Sequence, residues 1–476
     1  MIFASKEFFL FLPVVLLVYH LLRSRSGKYG FLLLASWLFY AWCSPQYLWV
    51  IILCTVIDYA AGIAIESTDH PGRRKRWLLL SILANLGLLF AFKYTAFVYD
   101  NAVSLARLFS PGMPDRAWEI LLPLGISFHT FQGISYTVDV YRRQIRAVRS
   151  FVDYAFFVAF FPQLAAGPIV RAVEFLPQMV TPPRVTAQQI AEGLHFFLLG
   201  LFKKLFIADQ LDALFVSPVF ADPGAYDSTA QRWAMLAWAA QIYCDFSGYS
   251  DMAVGCAKWF GFELPRNFNY PFLATSITDF WRRWHLSLST WLRDYVYFPL
   301  GGSKCRPLRV YANLMLVFIL CGLWHGATWA WFVYGVYNGA LMSLHRLYDR
   351  ALTGIAWADA IRASLPWQFL AWLATMFQIV AGLILIRMTD WHGGVVLFRS
   401  LVATDVWSAW SMAVPVWVPL LLALVVLGHV FSGLRNKLCG LLELPSGIRA
   451  AVYVGTVAML VVFAPGVSKT FIYIAF

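Results

Sequence analysis

The chain has 476 residues, of which 60% are hydrophobic and only 13% are charged, and its mean hydropathy is +0.65. A water-soluble domain of this length would aggregate with such a composition, which excludes a large soluble domain and indicates a protein that resides in a lipid bilayer. The net charge of +12 does not indicate nucleic-acid binding, because the basic residues form short clusters between apolar runs, as in the cytoplasmic loops of membrane proteins.

Four apolar runs in the first third of the chain alternate with polar loops. They lie near residues 7–22, 30–42, 46–65 and 77–98. Basic residues follow the first run (Arg23, Arg25) and the third (Arg73–Arg76), so these loops are predicted to be cytoplasmic and the amino terminus to lie outside. No small-residue cleavage pattern follows the first run, which we interpret as a retained span and not as a signal peptide.

The later apolar runs are less regular. Residues 120–132 are broken by Pro123 and Gly125, which predicts a re-entrant or kinked segment that is buried in protein or lines a cavity. Further runs lie near 151–170, 190–217, 230–260, 310–344, 367–387, 411–430 and 449–467. Since a span needs roughly 20 apolar residues, we expect an all-α polytopic protein of about eleven transmembrane helices in one domain, residues 1–476. Arg435 and Lys437 precede the last run, which places the carboxyl terminus outside.

His325 is an ionisable residue inside a long apolar run, in the sequence Gly322-Leu-Trp-His325-Gly326. Such a side chain is costly in a membrane unless it faces a cavity, so it is a candidate functional residue. A neutral imidazole there can accept the proton of an attacking hydroxyl group, which acyl transfer to an alcohol requires. Gly322 and Gly326 would allow another backbone or a thin acyl chain to approach closely. A buried histidine hydrogen-bonded to a helix carbonyl fits the same pattern.

A second histidine, His285, lies in an amphipathic stretch over residues 278–294. At helical spacing the large apolar residues share one face, which predicts one interfacial or cavity-lining helix. Basic residues on and near it could hold the phosphates of a coenzyme: Arg282, Arg283, Arg293 and Lys304. A row of snorkelling arginines below a tryptophan belt would give the same pattern.

Asp245 and Asp251 lie six residues apart in an otherwise apolar run and do not share a helical face. One of them could pair with a basic residue of a neighbouring segment while the other faces water. Two carboxylates without a nearby histidine or cysteine make a poor metal site, so we expect no metal.

Several motifs in order resemble the membrane-bound O-acyltransferase family, in particular its bacterial branch of polysaccharide acetylation. They are Tyr243–Asp251, Asn267–Pro271, Asp279–Tyr295, Pro299–Gly302 and Gly322–Gly326, with weaker likeness at Leu122–Phe128, Ile134–Tyr136, Asp139–Arg142 and Ala166–Arg171. The resemblance covers most of the chain, and residues 241–345 are expected to form the catalytic core.

The resemblance implies a ring of membrane helices around a central funnel that admits acyl-coenzyme A from the cytoplasm. It implies that His325 is catalytic and that His285 is a second active-site residue. We expect Arg282 or Arg283, together with Trp324, to position acetyl-coenzyme A, which is the acyl donor; no permanently bound cofactor is expected. The carboxylates expected to support the site are Asp245, Asp251 and Asp294.

Relatives in this branch work with an external partner that carries a Ser-His-Asp, SGNH-type acetyltransferase domain, and this chain has no such motif. The resemblance therefore implies a periplasmic partner within a polysaccharide synthesis complex. The tail, residues 469–476, is similar to the aromatic tail of this branch. Tyr473 could accept the acyl group in transit there, or it could be an interfacial anchor.

The sequence therefore predicts an O-acetyltransferase of the bacterial inner membrane, with both termini in the periplasm. Alginate is the preferred acceptor on overall likeness, and cellulose and peptidoglycan are the alternatives. A transporter of an acylated carrier and a non-catalytic scaffold are alternatives of other classes. The transporter would need paired broken helices in two inverted halves, and only one broken segment is clear.

Overall fold

The computed structural model describes residues 1–110, 112, 114–181, 184–403, 411–435, 445–463 and 471. Throughout these ranges the protein is helical and has no β-strand, as the composition predicts. The helices of the first half, numbered in chain order, are α1 (Lys6–Leu21), α2 (Arg25–Cys43), α3 (Leu48–Glu66), α4 (Pro71–Leu89), α5 (Thr95–Ala106), α6 (Ile126–Tyr141), α7 (Phe151–Ala159), α8 (Phe161–Leu164), α9 (Ala172–Phe175), α10 (Ala187–Leu201), α11 (Asp209–Leu211) and α12 (Ser217–Ala221).

The helices of the second half continue the same numbering. They are α13 (Ser228–Trp259), α14 (Ile277–Trp281), α15 (Leu286–Leu292), α16 (Pro307–His325), α17 (Trp329–Leu352), α18 (Ala356–Ala363), α19 (Leu365–Arg387), α20 (Trp391–Val402), α21 (Trp417–Arg435) and α22 (Ser446–Phe463). Short 3₁₀ turns lie at Pro45–Tyr47, Leu176–Met179, Pro223–Ala225 and Pro271–Leu273.

Within the described ranges, five helical stretches are long and apolar enough to cross a membrane. They are Pro45–Glu66, Pro71–Ala106, Pro307–His325, Leu365–Arg387 and Ser446–Phe463. Other predicted spans are shorter, interrupted or less apolar; the run at 151–170, for example, is divided between α7 and α8, and α13 is long but carries more polar residues. The structure therefore confirms an all-helical membrane protein, and the number of about eleven spans stays a prediction.

Four segments have π-helical geometry: Phe90–Tyr94, Phe202–Ala208, Asp212–Val216 and Arg293–Tyr297. Such segments are rare and often occur at functional sites. Three of them lie within the helical stretches over 77–98 and 190–217 and do not end them. The helix is therefore locally wider along apolar runs that look uniform in the sequence.

Helix α13 runs through the centre of the molecule and is buried along nearly its whole length. It packs on α10 at glycine contacts, where a Cβ added at Gly200 would lie 2.4 Å from the carbonyl oxygen of Gly248. Both carboxylates on α13 are paired: Asp245 with Lys204, and Asp251 with Lys203 at 2.7 Å. The expected pairing with a basic residue of a neighbouring segment is therefore found for both carboxylates, because two consecutive lysines in a π-helical segment reach both.

The predicted cytoplasmic loops meet at one end of the molecule. Arg74 donates to the Tyr141 carbonyl at 2.8 Å, and ion pairs join Arg143 to Asp69 at 2.6 Å and Arg149 to Glu66 at 2.7 Å. The amino terminus lies at the other end of α2 from Arg25, where it donates to the Phe39 carbonyl at 3.2 Å. The basic loops that the sequence predicts to be cytoplasmic therefore lie side by side, and the side of the membrane that they face stays a prediction.

The stretch over 278–294 is not the single helix that its periodicity predicts. It divides into α14 and α15 at His285, whose φ of 43° lies in the left-handed region. The loop before it supplies the reason, since the Asn267 carbonyl accepts from the Leu286 N–H at 2.9 Å and its side chain accepts from the Ser287 hydroxyl at 2.6 Å. These contacts from outside the helix compensate for the hydrogen bonds lost at the break.

Candidate active site

His325 is the last residue of α16, at the turn into α17. Gly326 follows in an extended conformation, and Thr328 begins α17 by accepting a hydrogen bond from the Trp331 N–H at 3.4 Å. The two helices touch backbone to backbone, because a Cβ added at Gly322 would lie 2.2 Å from the Trp331 carbonyl oxygen. Gly322 therefore admits a second backbone, as predicted, and Gly326 makes room for the Trp331 ring.

The imidazole of His325 lies among aromatic rings and is buried. It stacks on Trp331 with ring centroids 5.0 Å apart and meets the Trp324 ring at 4.8 Å. The ring of His285 is 6.0 Å away, so the structure brings the two predicted histidines together. Their segments are 40 residues apart in the chain.

The end of α16 is capped by two residues that the sequence prediction missed. The ammonium group of Lys93 donates to the carbonyls of Trp324 and His325, at 3.0 Å for His325, and the Tyr94 hydroxyl donates to the Leu323 carbonyl at 3.0 Å. The last carbonyls of a helix have no partner within it and carry the negative end of its dipole, so a cation there is favourable. Lys93 could have been identified as a candidate from the sequence, because it is a charged residue inside the apolar run 77–98.

A cavity of about 200 Å³ opens beside His325. Lys93 and Trp324 line it, and the segment Leu122–Phe128 forms the opposite wall. Gly125 has φ 68°, and a Cβ there would lie 2.2 Å from the Leu164 carbonyl oxygen, so this turn is open only to glycine. The broken segment therefore lines a cavity, as predicted. Ile2 and Cys43 also line this cavity, which places it toward the amino-terminal end of the molecule.

A second cavity, of about 490 Å³, lies at the end where the basic loops meet. It is lined by Arg142, Gln144, Arg171, Val173, Asp294, Tyr295, Phe298 and Pro299. Arg171 pairs with Asp294 at 2.6 Å, and Arg293 pairs with the same carboxylate at 2.6 Å. Partial burial opposes the ionisation of Asp294, but the hydrogen bonds from Arg293 and Arg171 outweigh it and hold the pKa of this carboxyl below its usual value.

A row of four aromatic rings connects the basic cavity with the histidine. Tyr295 contacts Trp291 at 5.2 Å, Trp291 stacks on Phe131 at 3.8 Å, and Phe131 stacks on Trp324 at 5.4 Å between ring centroids. The flat faces of such rings give an apolar, shape-stable wall. The basic cavity and the histidine cavity thus lie at opposite ends of one aromatic row.

The remaining predicted residues lie at different distances from this site. Trp324 is in it. Arg283 pairs with Asp279 at 2.9 Å, Arg282 is exposed, and neither lines the two cavities above. Asp294 lies in the basic cavity, whereas Asp245 is paired inside the core. The roles predicted for these side chains in donor binding and in support of the site stay predictions.

Tyr473, the predicted acyl acceptor of the tail, lies outside the described residues. Phe471 is described and is buried, with its ring stacked on Tyr249 at 4.6 Å and 5.9 Å from Phe246. Phe246 in turn contacts the His285 ring at 4.6 Å. The tail therefore enters the core two residues before Tyr473 and one ring away from the histidine pair.

Comparison with known proteins gives consistent matches. The sequence profile of MBOAT, the membrane-bound O-acyltransferase family, matches residues 129–386. The chain is 39% identical to the probable alginate O-acetylase AlgI of Pseudomonas aeruginosa over 86% of this chain and 76% of that protein. It is 36% identical to the peptidoglycan O-acetyltransferase of Helicobacter pylori, over 83% of this chain and 79% of the relative. The teichoic acid D-alanyltransferase of Bacillus subtilis is 29% identical over 50% of this chain and 62% of its own length.

The described residues combine membrane-length helices with a buried histidine pair, and the family profile and the relatives define the class of the protein as a membrane-bound acyltransferase. The chain belongs to the membrane-bound O-acyltransferase family. This confirms the predicted resemblance and the prediction of an enzyme, and it favours acyl transfer over the transporter and the scaffold.

Proposed function

We propose that the protein takes acetyl groups from acetyl-coenzyme A on the cytoplasmic side of a bacterial inner membrane and passes them outward for O-acetylation of an exopolysaccharide. Alginate is the leading acceptor, because the Pseudomonas relative is named for it at 39% identity. Peptidoglycan is the second candidate, since the Helicobacter relative is named for it. Cellulose has no relative among those compared above.

The position of His325 carries this proposal. It lies where the 200 Å³ cavity from the amino-terminal side meets the aromatic row from the basic side, so that a donor and an acceptor can reach one imidazole from opposite faces. In this arrangement the helices form a ring of about eleven spans around a funnel, with both termini in the periplasm.

Arg142 and Arg171 supply a phosphate site for the donor at the cytoplasmic end. One terminal guanidinium nitrogen of Arg171 is buried and has no hydrogen-bond partner within the described chain, and guanidinium groups match phosphate oxygens in geometry and charge. The thin pantetheine arm then follows Trp291 and Phe131 to the histidine. Arg282 and Arg283, which the sequence favours, are the competing phosphate ligands.

His325 acts as the general base. It takes the proton from an acceptor hydroxyl, the oxygen attacks the thioester carbonyl, the C–S bond breaks, and the coenzyme leaves as a thiol after the proton is returned to its sulfur. Lys93 fixes the end of the helix that carries the imidazole, and its charge in the same cavity favours the negative oxygen of the tetrahedral intermediate. The His285 ring lies 6.0 Å from that of His325 and is the second histidine of the site.

The first acceptor is proposed to be the hydroxyl of Tyr473, from which a periplasmic SGNH-type partner takes the acetyl group. The burial of Phe471 near Phe246 supports this, because it brings the tail close to the histidine pair. Tyr473→Phe should abolish a stable acetyl-protein intermediate and polymer acetylation while thioester hydrolysis persists. Polymer acetylation by this variant at the wild-type rate would remove the relay and leave the acyltransferase intact.

The decisive experiment uses purified full-length protein in nanodiscs with radiolabelled acetyl-coenzyme A. Wild type should release coenzyme A and transfer label to the protein or to an added acceptor, and His325→Ala should do neither. His70→Ala is the matched control, because His70 begins α4 at the surface, away from the site. Equal turnover by wild type and His325→Ala would exclude this mechanism.

A further inference from the structure

A third cavity lies between α10, α13 and α21, outside the two cavities of the acyl-transfer site. Its volume is about 770 Å³, within the range of roughly 300–1,000 Å³ that is usual for small-molecule sites. Its lining contains large apolar residues, namely Phe196, Leu199, Phe202, Leu424 and Val425. It also contains polar groups, namely Lys203, Asp251, Arg266, Asn269 and His429. A lining with both kinds of group suits an amphiphile.

His429 offers this cavity an unused hydrogen-bond acceptor. Its side chain is only 3% exposed, and its Nδ1 lies 2.8 Å from the Val425 carbonyl. A carbonyl can only accept, so Nδ1 carries the proton and Nε2 presents a lone pair. In the described part of the chain Nε2 has no partner. A buried acceptor without a donor is unfavourable, so a ligand that brings a hydroxyl group would stabilise it.

Arg266 places a guanidinium group in the lining of this cavity. Lys203 and Asp251 neutralise one another at 2.7 Å; Lys258 pairs with both Glu192 at 2.8 Å and Glu263 at 2.7 Å, and Glu192 interacts with Arg266 electrostatically without a direct ion pair. Arg266 is exposed and contacts the Phe196 ring at 5.8 Å; the described ranges contain no ion pair to it. Its guanidinium group is therefore available for an anion, and phosphate fits its geometry.

We propose that this cavity binds an anionic phospholipid whose head group carries both a phosphodiester and a hydroxyl, of the phosphatidylglycerol type. The phosphate lies at Arg266, the head-group hydroxyl donates to Nε2 of His429, and the acyl chains contact the apolar residues of the lining. Arg266 and His429 line the same cavity, and Tyr270, four residues after Arg266, lies between them with its ring 6.1 Å from the His429 ring.

The test is lipid binding to delipidated full-length protein, measured by native mass spectrometry with three lipids of matched chain length. Phosphatidylglycerol has the charge and the hydroxyl, phosphatidylmethanol has the charge alone, and phosphatidylcholine has no net charge. Wild type should bind phosphatidylglycerol about tenfold tighter than phosphatidylcholine, with phosphatidylmethanol between them. Equal affinity for all three lipids would overturn the proposal.

Two polar variants assign the head-group contacts. Arg266→Gln should remove the preference for both anionic lipids, whereas Arg309→Gln, at an exposed arginine that lines none of the three cavities, should keep it. His429→Phe should bring phosphatidylglycerol down to the affinity of phosphatidylmethanol and leave the latter unchanged. An equal loss in Arg266→Gln and Arg309→Gln would show a general charge effect in place of a site.

A filling variant tests the cavity without removing any polar group. Gly428 lines it, and a Cβ added there meets no atom within 4 Å, so Gly428→Leu should fold and block the acyl chains. Gly455→Leu on α22 is the matched control, because a Cβ there also meets no atom within 4 Å. Undiminished phosphatidylglycerol binding by Gly428→Leu, or displacement of the lipid by equimolar soluble glycerophosphoglycerol, would contradict a lipid site here.

Discussion

The two histidines of the active site are held in place by opposite means. His325 ends a regular membrane-length helix, and its position depends on Lys93 and Tyr94, which cap that helix from a distant part of the chain. His285 stands at a break between two short helices in a left-handed backbone conformation, and its position depends on hydrogen bonds that Leu286 and Ser287 donate to Asn267.

Because of this difference, substitutions at the helix end and at the strained turn should affect activity and stability in different proportions. The cap on α16 can be weakened while the helix persists, so its loss should affect catalysis more than folding. The turn at His285 is unfavourable for most residues by about 1–2 kcal/mol, so its side chain influences stability as well as chemistry.

The largest expected effect is a loss of activity without a loss of stability when His325 is replaced. His325→Gln should reduce acetyl transfer by about 10²–10⁴-fold, because general-base catalysis is lost, while the melting temperature of the protein stays close to that of wild type. Rates are measured as coenzyme A release, and stability as thermal unfolding in detergent. A variant with more than a tenth of wild-type activity would show that another base is used.

Substitution of His285 should lower both the activity and the stability of the protein. His285→Ala should reduce activity by roughly 10²-fold and also lower the free energy of unfolding by about 1 kcal/mol, since alanine is less favourable at positive φ. His285→Asn should lose similar activity with little loss of stability, because asparagine tolerates this conformation. Equal stability of the two variants would contradict the strained turn as the reason for the placement.

The cap on α16 should have a smaller effect that falls on one kinetic constant. Lys93→Met removes both hydrogen bonds to α16 and should lower kcat about tenfold or more with little change in KM for acetyl-coenzyme A, since Lys93 holds the histidine and not the donor. Tyr94→Phe should lower kcat less, by about fivefold. Lys93→Arg should recover part of the rate. A rise in KM alone would place Lys93 in donor binding.

The smallest effects should identify the donor site. Arg171→Gln should raise KM for acetyl-coenzyme A by about tenfold and leave kcat largely unchanged, and Arg142→Gln should do so more weakly because Arg142 is exposed. Arg282→Gln and Arg283→Gln are the paired comparison. If these two raise KM and the first two do not, the phosphates bind where the sequence pattern predicted.

Much of this arrangement could be predicted from the sequence, but only where the signal is local. The helices, the basic loops, His325 and the cavity-lining turn at Gly125 follow from apolar runs, charge and glycine in one segment each. The break at His285 could not be predicted, because the apolar periodicity continues across it. The hydrogen bonds that stabilise the break are accepted by Asn267, which lies outside the segment. Lys93 and Arg171 were missed because their partners are far away in the chain.

The close contact at Gly322 also limits how the active site can move. A cavity of about 200 Å³ beside His325 must widen if a sugar hydroxyl is to approach. At Gly322 the backbones of α16 and α17 are already too close for the two helices to shift toward each other. Residues 122–124 have no helical hydrogen bonds to resist displacement, whereas Gly125 is packed against the Leu164 carbonyl, so we expect the cavity to widen at residues 122–124. Hydrogen exchange at residues 122–124 should then follow acceptor binding more closely than exchange in α16.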